Sequence, residues 1–140
     1  MNTVVKILFP LVLYLTPITK ITYSKTGGRG GNTEQLEITR YSIKYIQGRA
    51  GNEKTVNDKT STITWKKISS SFNPENFNKI KSNPGHAMYD GTDITITVSS
   101  DSKEYSIVNG SEDTANYKRI NAFTVQLTAI LNKMRKKVSW

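Results

Sequence analysis

The chain has no cysteine and one histidine in 140 residues. Without cysteine there is no disulfide, no thiolate metal site, no cysteine nucleophile and no lipid attachment through an N-terminal cysteine. Stability must therefore come from packing. With a single imidazole, any triad or general base that relies on histidine has to use His86. Beyond the first segment there is no apolar run of about eighteen residues, the length that reads as a membrane span, and no internal period recurs. Acid is also scarce: 11 aspartates and glutamates stand against 20 lysines and arginines, a formal charge of +9.

A field of that sign favours anionic partners and changes association rates more than it shapes a fold. The bases are scattered, with one dense cluster at Lys133, Arg135, Lys136 and Lys137. That cluster closes a helical pattern, where cations complement the helix dipole. Aromatic side chains are dispersed, and no strand pattern combines them with cations as a single-stranded nucleic acid would require. No specific nucleic acid is expected as a partner.

Residues 1–19 read as an export signal: Lys6, the apolar run ILFPLVLYL, then Thr16, Pro17 and Ile18. The run is short for a bilayer, so membrane contact is expected only through residues 1–19 if they stay uncleaved. The alternatives are a retained anchor, or a first strand or buried helix of a cytosolic domain. The expected location is the bacterial envelope, periplasmic or secreted. Residues 20–140 then form one domain, since a chain of this size buries roughly two-thirds of its unfolded surface in one core.

That domain opens on ITYSKTGGRGGNTEQLEIT, two alternating runs around Gly27, Gly28, Arg29, Gly30 and Gly31. Period-two patterns at Ile21 and Tyr23, Leu36 and Ile38, and Ile43 and Tyr45 predict three antiparallel strands. Residues 53–60 are polar and read either as an edge strand with Val56 inward or as a loop. The period then changes. Ile63, Trp65, Ile68 and Phe72 predict a short helix capped by Ser61 or Thr62, and Asn73 with Pro74 starts a second that turns Phe77 and Ile80 inward. DITITVS and the return through Tyr105 and Ile107 make a second hairpin. Tyr117, Ile120, Phe123, Leu127, Ile130, Leu131, Met134 and Val138 predict one long amphipathic helix of about six turns. The expected fold is α+β: an antiparallel sheet of two or more hairpins with the long C-terminal helix and two short helices packed on one face. Trp140 is expected to dock on the sheet.

Two sets of residues could carry function. The glycine block reaches backbone conformations closed to other residues, which suits either close packing within its own sheet or insertion of a tip carrying Arg29 into a partner. No Gly-Lys-Ser/Thr follows and the next element reads as a strand, so a phosphate loop is not indicated. His86 lies in NPGHAMYDGTD beside Asp90 and Asp93, where imidazole and acid could meet in a hydrolase or metal-dependent enzyme. Their spacing matches no metal-ligand pattern, and neither metal nor cofactor is expected. Surface and turn roles account for the same residues. Glu112 and Asp113, just before the last helix, read as caps.

With these residues in order, YSKTGGRGGNTEQLEIT, KIKSNPGHAMYDGTDITITV and SIVNGSEDTANYKRINAF resemble small exported domains of Bacteroidetes-type bacteria that have no assigned function. The resemblance covers most of residues 20–140 and implies an envelope or secreted location. More remotely, Tyr23, the paired glycines and the following strand resemble the opening of the emfourin or protealysin-inhibitor group, which inhibits thermolysin-like metalloproteases. This chain has a longer middle and Arg29 within the tip, and no contact residue is carried over. The expectation is a non-enzymatic, monomeric binding module that contacts a protein partner, a protease on the remoter resemblance, through residues 27–31. The alternative is an enzyme using His86, Asp90 and Asp93.

Overall fold

The computed structural model describes residues 17–138. Trp140 and most of the segment read as an export signal lie outside them. Strands β1 (Ile18–Gly27), β2 (Asn32–Thr39), β3 (Ser42–Arg49) and β4 (Asn52–Lys59) form a meander, and β5 (Thr92–Ser100) and β6 (Glu104–Val108) a hairpin. β5 pairs antiparallel with the other side of β1, giving a six-stranded sheet in the order β4-β3-β2-β1-β5-β6. β1 thus starts inside the range read as a leader, and Ile18 packs against the core.

Side chains alternate across a strand, and the register brings the apolar halves into one face. Tyr45, Leu36, Tyr23, Ile96 and Ile107 form a continuous row from β3 to β6, all buried. The opposite face carries the row Lys44, Glu37, Thr22, Thr97 and Ser106. Ile46 lies on that side as well, out of phase with Tyr45. Residues 52–59 do form the edge strand, with Val56 half-buried against the core.

Helices cover the apolar face. α1 (Thr62–Ser71) is capped by Ser61, whose hydroxyl accepts from the Thr64 amide, and α2 (Pro74–Asn78) by Asn73 with proline at its first position. Phe72 sits at the corner between them. Its ring meets Phe77, Tyr105 and Phe123 edge-on at 5.3, 5.3 and 5.7 Å, the arrangement the ring quadrupoles favour. Ile63, expected inward, is 69 % exposed. It lies five positions from the buried Ile68, about 140° around an α-helix at 3.6 residues per turn, so Trp65, Ile68 and Phe72 alone define the covered face.

The C-terminal helix is not one uninterrupted α-helix. Asp113 caps α3 (Thr114–Tyr117), a 3-10 turn follows over Lys118–Ile120, and α4 runs from Asn121 to Lys137. Residues three apart eclipse one another in a 3-10 turn. The stretch therefore keeps Tyr117, Ile120 and Phe123 on one side while the backbone leaves α geometry at Ile120 (φ −103°, ψ 17°). Phe123, Leu127, Ile130, Leu131 and Met134 continue the buried stripe, as the spacing predicts.

Two acids on the sheet hold the basic end of α4. Asp58 on β4 accepts from Lys133 at 3.0 Å and Lys137 at 2.6 Å, contacts that hold its carboxyl far below the usual range. Glu34 on β2 takes Arg135 through both oxygens, at 2.6 and 2.7 Å. Three of the four clustered cations therefore serve internal pairs.

Candidate functional site

In an all-antiparallel meander alternate turns share an end of the sheet. The pairs Asn52–Arg49, Arg49–Asn32, Asn32–Gly27 and Gly27–Thr92 form a single row across β4, β3, β2, β1 and β5. Beyond that row project the β1–β2 turn (28–31), the β3–β4 turn (50–51) and the turn that precedes β5 (86–91). Both sets of residues singled out in the sequence therefore lie at this one end.

The glycine block divides into two parts. Gly27 has φ +115°, and a Cβ there would stand 2.3 Å from the Gly91 carbonyl oxygen and 3.0 Å from the Ala87 methyl. The Gly28 amide donates to the same Gly91 oxygen at 2.8 Å. These two glycines let the 86–91 turn close onto the hairpin. Arg29, Gly30 and Gly31 are exposed. Gly31 (φ +62°) has open space around its Cβ position, whereas Gly30 (φ +98°) is overlaid by the Arg49 guanidinium, whose Cζ would lie 3.4 Å from an added Cβ. Arg49 Nε also donates to Asn32 Oδ1 at 3.2 Å. The β1–β2 turn thus touches both the 86–91 turn and Arg49 at the end of β3.

Asp93 is the staple of the 86–91 turn. Its carboxylate accepts from the backbone amides of Gly85, His86 and Ala87 and from Asn109 Nδ2. Partial burial would raise its pKa, but these donors, Asn109 foremost, outweigh it and hold the carboxyl below its ordinary value. Asp90 occupies a left-handed position (φ 60°) at the end of a 3-10 turn over His86–Tyr89, its side chain exposed. Both acids are joined to His86 through its backbone, Asp93 accepting from the His86 amide and Asp90 donating its own amide to the His86 carbonyl, and neither carboxylate hydrogen-bonds to the imidazole. The His86 ring finds a different acid: Nδ1 lies 3.3 Å from Glu112 Oε1. Asn109 Nδ2 is equally close to Nδ1, yet its two hydrogens are already directed to Asn83 O at 2.8 Å and Asp93 Oδ1 at 2.7 Å. Nδ1–H donating to Glu112 is the arrangement that satisfies every group. Among the described residues no hydroxyl hydrogen-bonds to this ring, and no three His, Cys, Asp or Glu side chains stand close enough to hold a metal ion.

Beside the Asp90 carboxylate, the turn presents two large apolar side chains outward. Met88 is 80 % and Tyr89 85 % exposed, on a backbone fixed by Asp93 and by contact with Gly27. Behind the tip, on the helix-covered side of the sheet but past the end of α4, lies an open cleft of about 660 Å³ lined by Lys25, Asn32, Glu34, Gln47, Arg49 and Asn52 among others. Its inner wall is the Glu34 cluster. Glu34 is 7 % exposed and receives, besides Arg135, the Tyr45 hydroxyl at 2.6 Å. Burial would raise its pKa, but Arg135 and then Tyr45 outweigh that and depress it. The Tyr45 hydroxyl has one hydrogen, which the short Glu34 contact takes. The Gln47 amide, 3.1 Å from the same oxygen, is therefore best oriented with Nε2 donating to it.

Sequence reading missed Glu34, Arg135, Arg49 and Glu112. Glu34 had a signal: it falls in phase with Leu36 and Ile38 on the inward side of β2, where an acid requires a buried partner. The partner, 101 positions away, carries no such mark, and Glu112 reads as a cap until the fold brings His86 to it. None of the described helices is long and apolar enough to cross a membrane. No protein-family model matches the chain, and no curated protein matches it.

Proposed function

We propose that the chain is an exported, non-enzymatic binding module that grips another protein with the three turns at the glycine end of its sheet. The observation that carries this is the exposure of Met88 and Tyr89 beside Arg29 on a backbone that is fastened from behind. Binding residues concentrate on loops held by a rigid scaffold, and aromatic, Met and Arg side chains are those enriched in protein interfaces. Pre-ordering such turns lowers the entropy lost on association. The remote resemblance to the protealysin-inhibitor group gives the partner class to try first, a thermolysin-like metalloprotease. A hydrolase built on His86 has less support, since the Asp93 carboxylate is committed to backbone amides and Asn109 and neither it nor Asp90 hydrogen-bonds to the imidazole.

The test is affinity capture by the full chain from envelope and secreted fractions at moderate salt, beside an Arg29→Ala/Tyr89→Ala variant of unchanged melting temperature. The expected result is a protein retained by the wild type and lost by the variant. Equal retention by both, or no protein retained by the wild type, would overturn the reading.

A further inference from the structure

We propose that the cleft behind the tip is a receptor for carboxylate side chains, so that the partner enters this end of the sheet with an acidic segment. The inference rests on the reading of the three turns as the binding surface and adds the chemistry of what they bind.

Lys25, Glu34 and Arg49 line the cleft; Arg135 abuts it through Glu34, and Glu53 through Thr33, whose hydroxyl donates to its carboxylate. Glu34 is taken through both oxygens by Arg135, so that pair is neutral together. Lys25 is the direct cross-strand neighbour of Glu34 and its charge helps hold that carboxyl down, after Arg135 and Tyr45, yet it forms no salt bridge among the described residues. Arg49 is likewise without an ion pair there. The two cations that line the cleft are thus without a salt bridge among the described residues, and no lining acid besides Glu34 faces them.

Arg49 is also arranged for recognition. Its Nε is committed to Asn32 Oδ1 and its plane lies along Gly30, which fixes the guanidinium and leaves both Nη groups for a ligand. A planar fork of that kind matches a carboxylate in two parallel hydrogen bonds, and being held in advance it loses less entropy on binding. Lys25 supplies a point charge from the β1 wall. Asn52 adds a side-chain amide on the remaining side, while Tyr45 and Gln47, occupied with Glu34 and each other, form an inert inner wall. At about 660 Å³ the space holds more than a single small anion, and the exposed Met88 and Tyr89 on the neighbouring turn offer apolar contact that an acidic peptide can use and a free phosphate cannot.

The experiment is an NMR titration of the ¹⁵N-labelled full chain with a capped tetraglutamate peptide, a capped tetraglutamine peptide and inorganic phosphate, repeated on Lys25→Gln and Lys25→Gln/Arg49→Gln variants whose spectra elsewhere are unchanged. The expected result is saturable shifts from tetraglutamate at the amides of residues 25–28, 32–34, 47–52 and 92. Affinity should weaken about tenfold or more in the double variant, as loss of a bidentate charged contact implies, with partial weakening in Lys25→Gln and no response to tetraglutamine. Shifts scattered over Lys44, Lys66, Lys103 and Lys118, unchanged affinity in the double variant, or equal affinity for phosphate would each overturn the proposal. Any of these outcomes leaves the capture experiment with Arg29→Ala/Tyr89→Ala to be judged separately, so failure of the cleft and failure of the binding surface are distinguishable.

Discussion

Replacing Arg135 with alanine is expected to destabilise the fold by about 3 kcal/mol, a fall in melting temperature on the order of 10 °C for a domain of this size. The reason is what remains behind. Glu34 keeps the Tyr45 hydroxyl but loses two charge-assisted hydrogen bonds while buried at the end of α4. The loss stays at the low end for broken buried pairs because Arg135 is itself 39 % exposed. Glu34→Gln should cost roughly half as much, since an amide still accepts from Tyr45 and the stranded guanidinium can turn to water. Equal effects for the two substitutions would show that the pair is screened like a surface ion pair.

The same cluster sets limits at both ends of the pH scale. The folded-state pKa of Glu34 is depressed, so its contribution is complete above the ordinary glutamate value, about 4.3, and is lost as pH falls through the lower folded-state value. Tyr23 behaves in the opposite sense. Burial, then the adjacent Glu34 charge, push its hydroxyl up to about 12. The stability it adds is complete below the ordinary tyrosine value, about 10, and lost as pH rises towards the folded value. In Glu34→Gln the acid loss should shrink, and the alkaline loss, which still begins near the ordinary tyrosine value, should be smaller and end at lower pH because the charge that raises Tyr23 is gone; chemical denaturation across the range measures both.

The second large effect is expected at Gly27. Gly27→Ala should cost about 3 kcal/mol, combining a backbone conformation that L side chains rarely adopt with a methyl placed against the Gly91 carbonyl, so that the 2.8 Å bond from the Gly28 amide is displaced. Gly31→Ala meets nothing within 4 Å and should cost only about 1 kcal/mol, the conformational part alone. Comparable losses at the two positions would contradict the division of the block into a packed base and an exposed tip.

That division shows where the sequence could be read and where it could not. Two adjacent alternatives for the glycines, close packing and partner contact, were both present in TGGRGG, and nothing local distinguishes Gly27 from Gly31. The distinction comes from Gly91, which reaches the hairpin only because β5 pairs with β1. Strand alternation and caps are local, and so the sheet, α1 and α2 were legible from Ile21, Tyr23, Ser61, Asn73 and Pro74. Two features of the last helix were not. Its apolar stripe at three-residue spacing fits an α-helix and a 3-10 turn alike, hence the unforeseen break at Lys118–Ile120. Its basic end reads as dipole compensation until the fold sets Asp58 and Glu34 beneath it. His86, Asp90 and Asp93 were correctly found close in the chain, but proximity did not reveal that Asp93 faces backbone amides and that Glu112, on another element, takes the imidazole.

The most direct measurement of the binding surface is amide hydrogen exchange of the full chain, alone and in complex with the protein it captures. The account predicts new protection concentrated in residues 28–31, 49–52 and 86–90, with the row through Lys44, Glu37, Thr22, Thr97 and Ser106 unchanged. Protection confined to that opposite face of the sheet, or to the surface around Trp65 and Tyr105 at the far end, would contradict it.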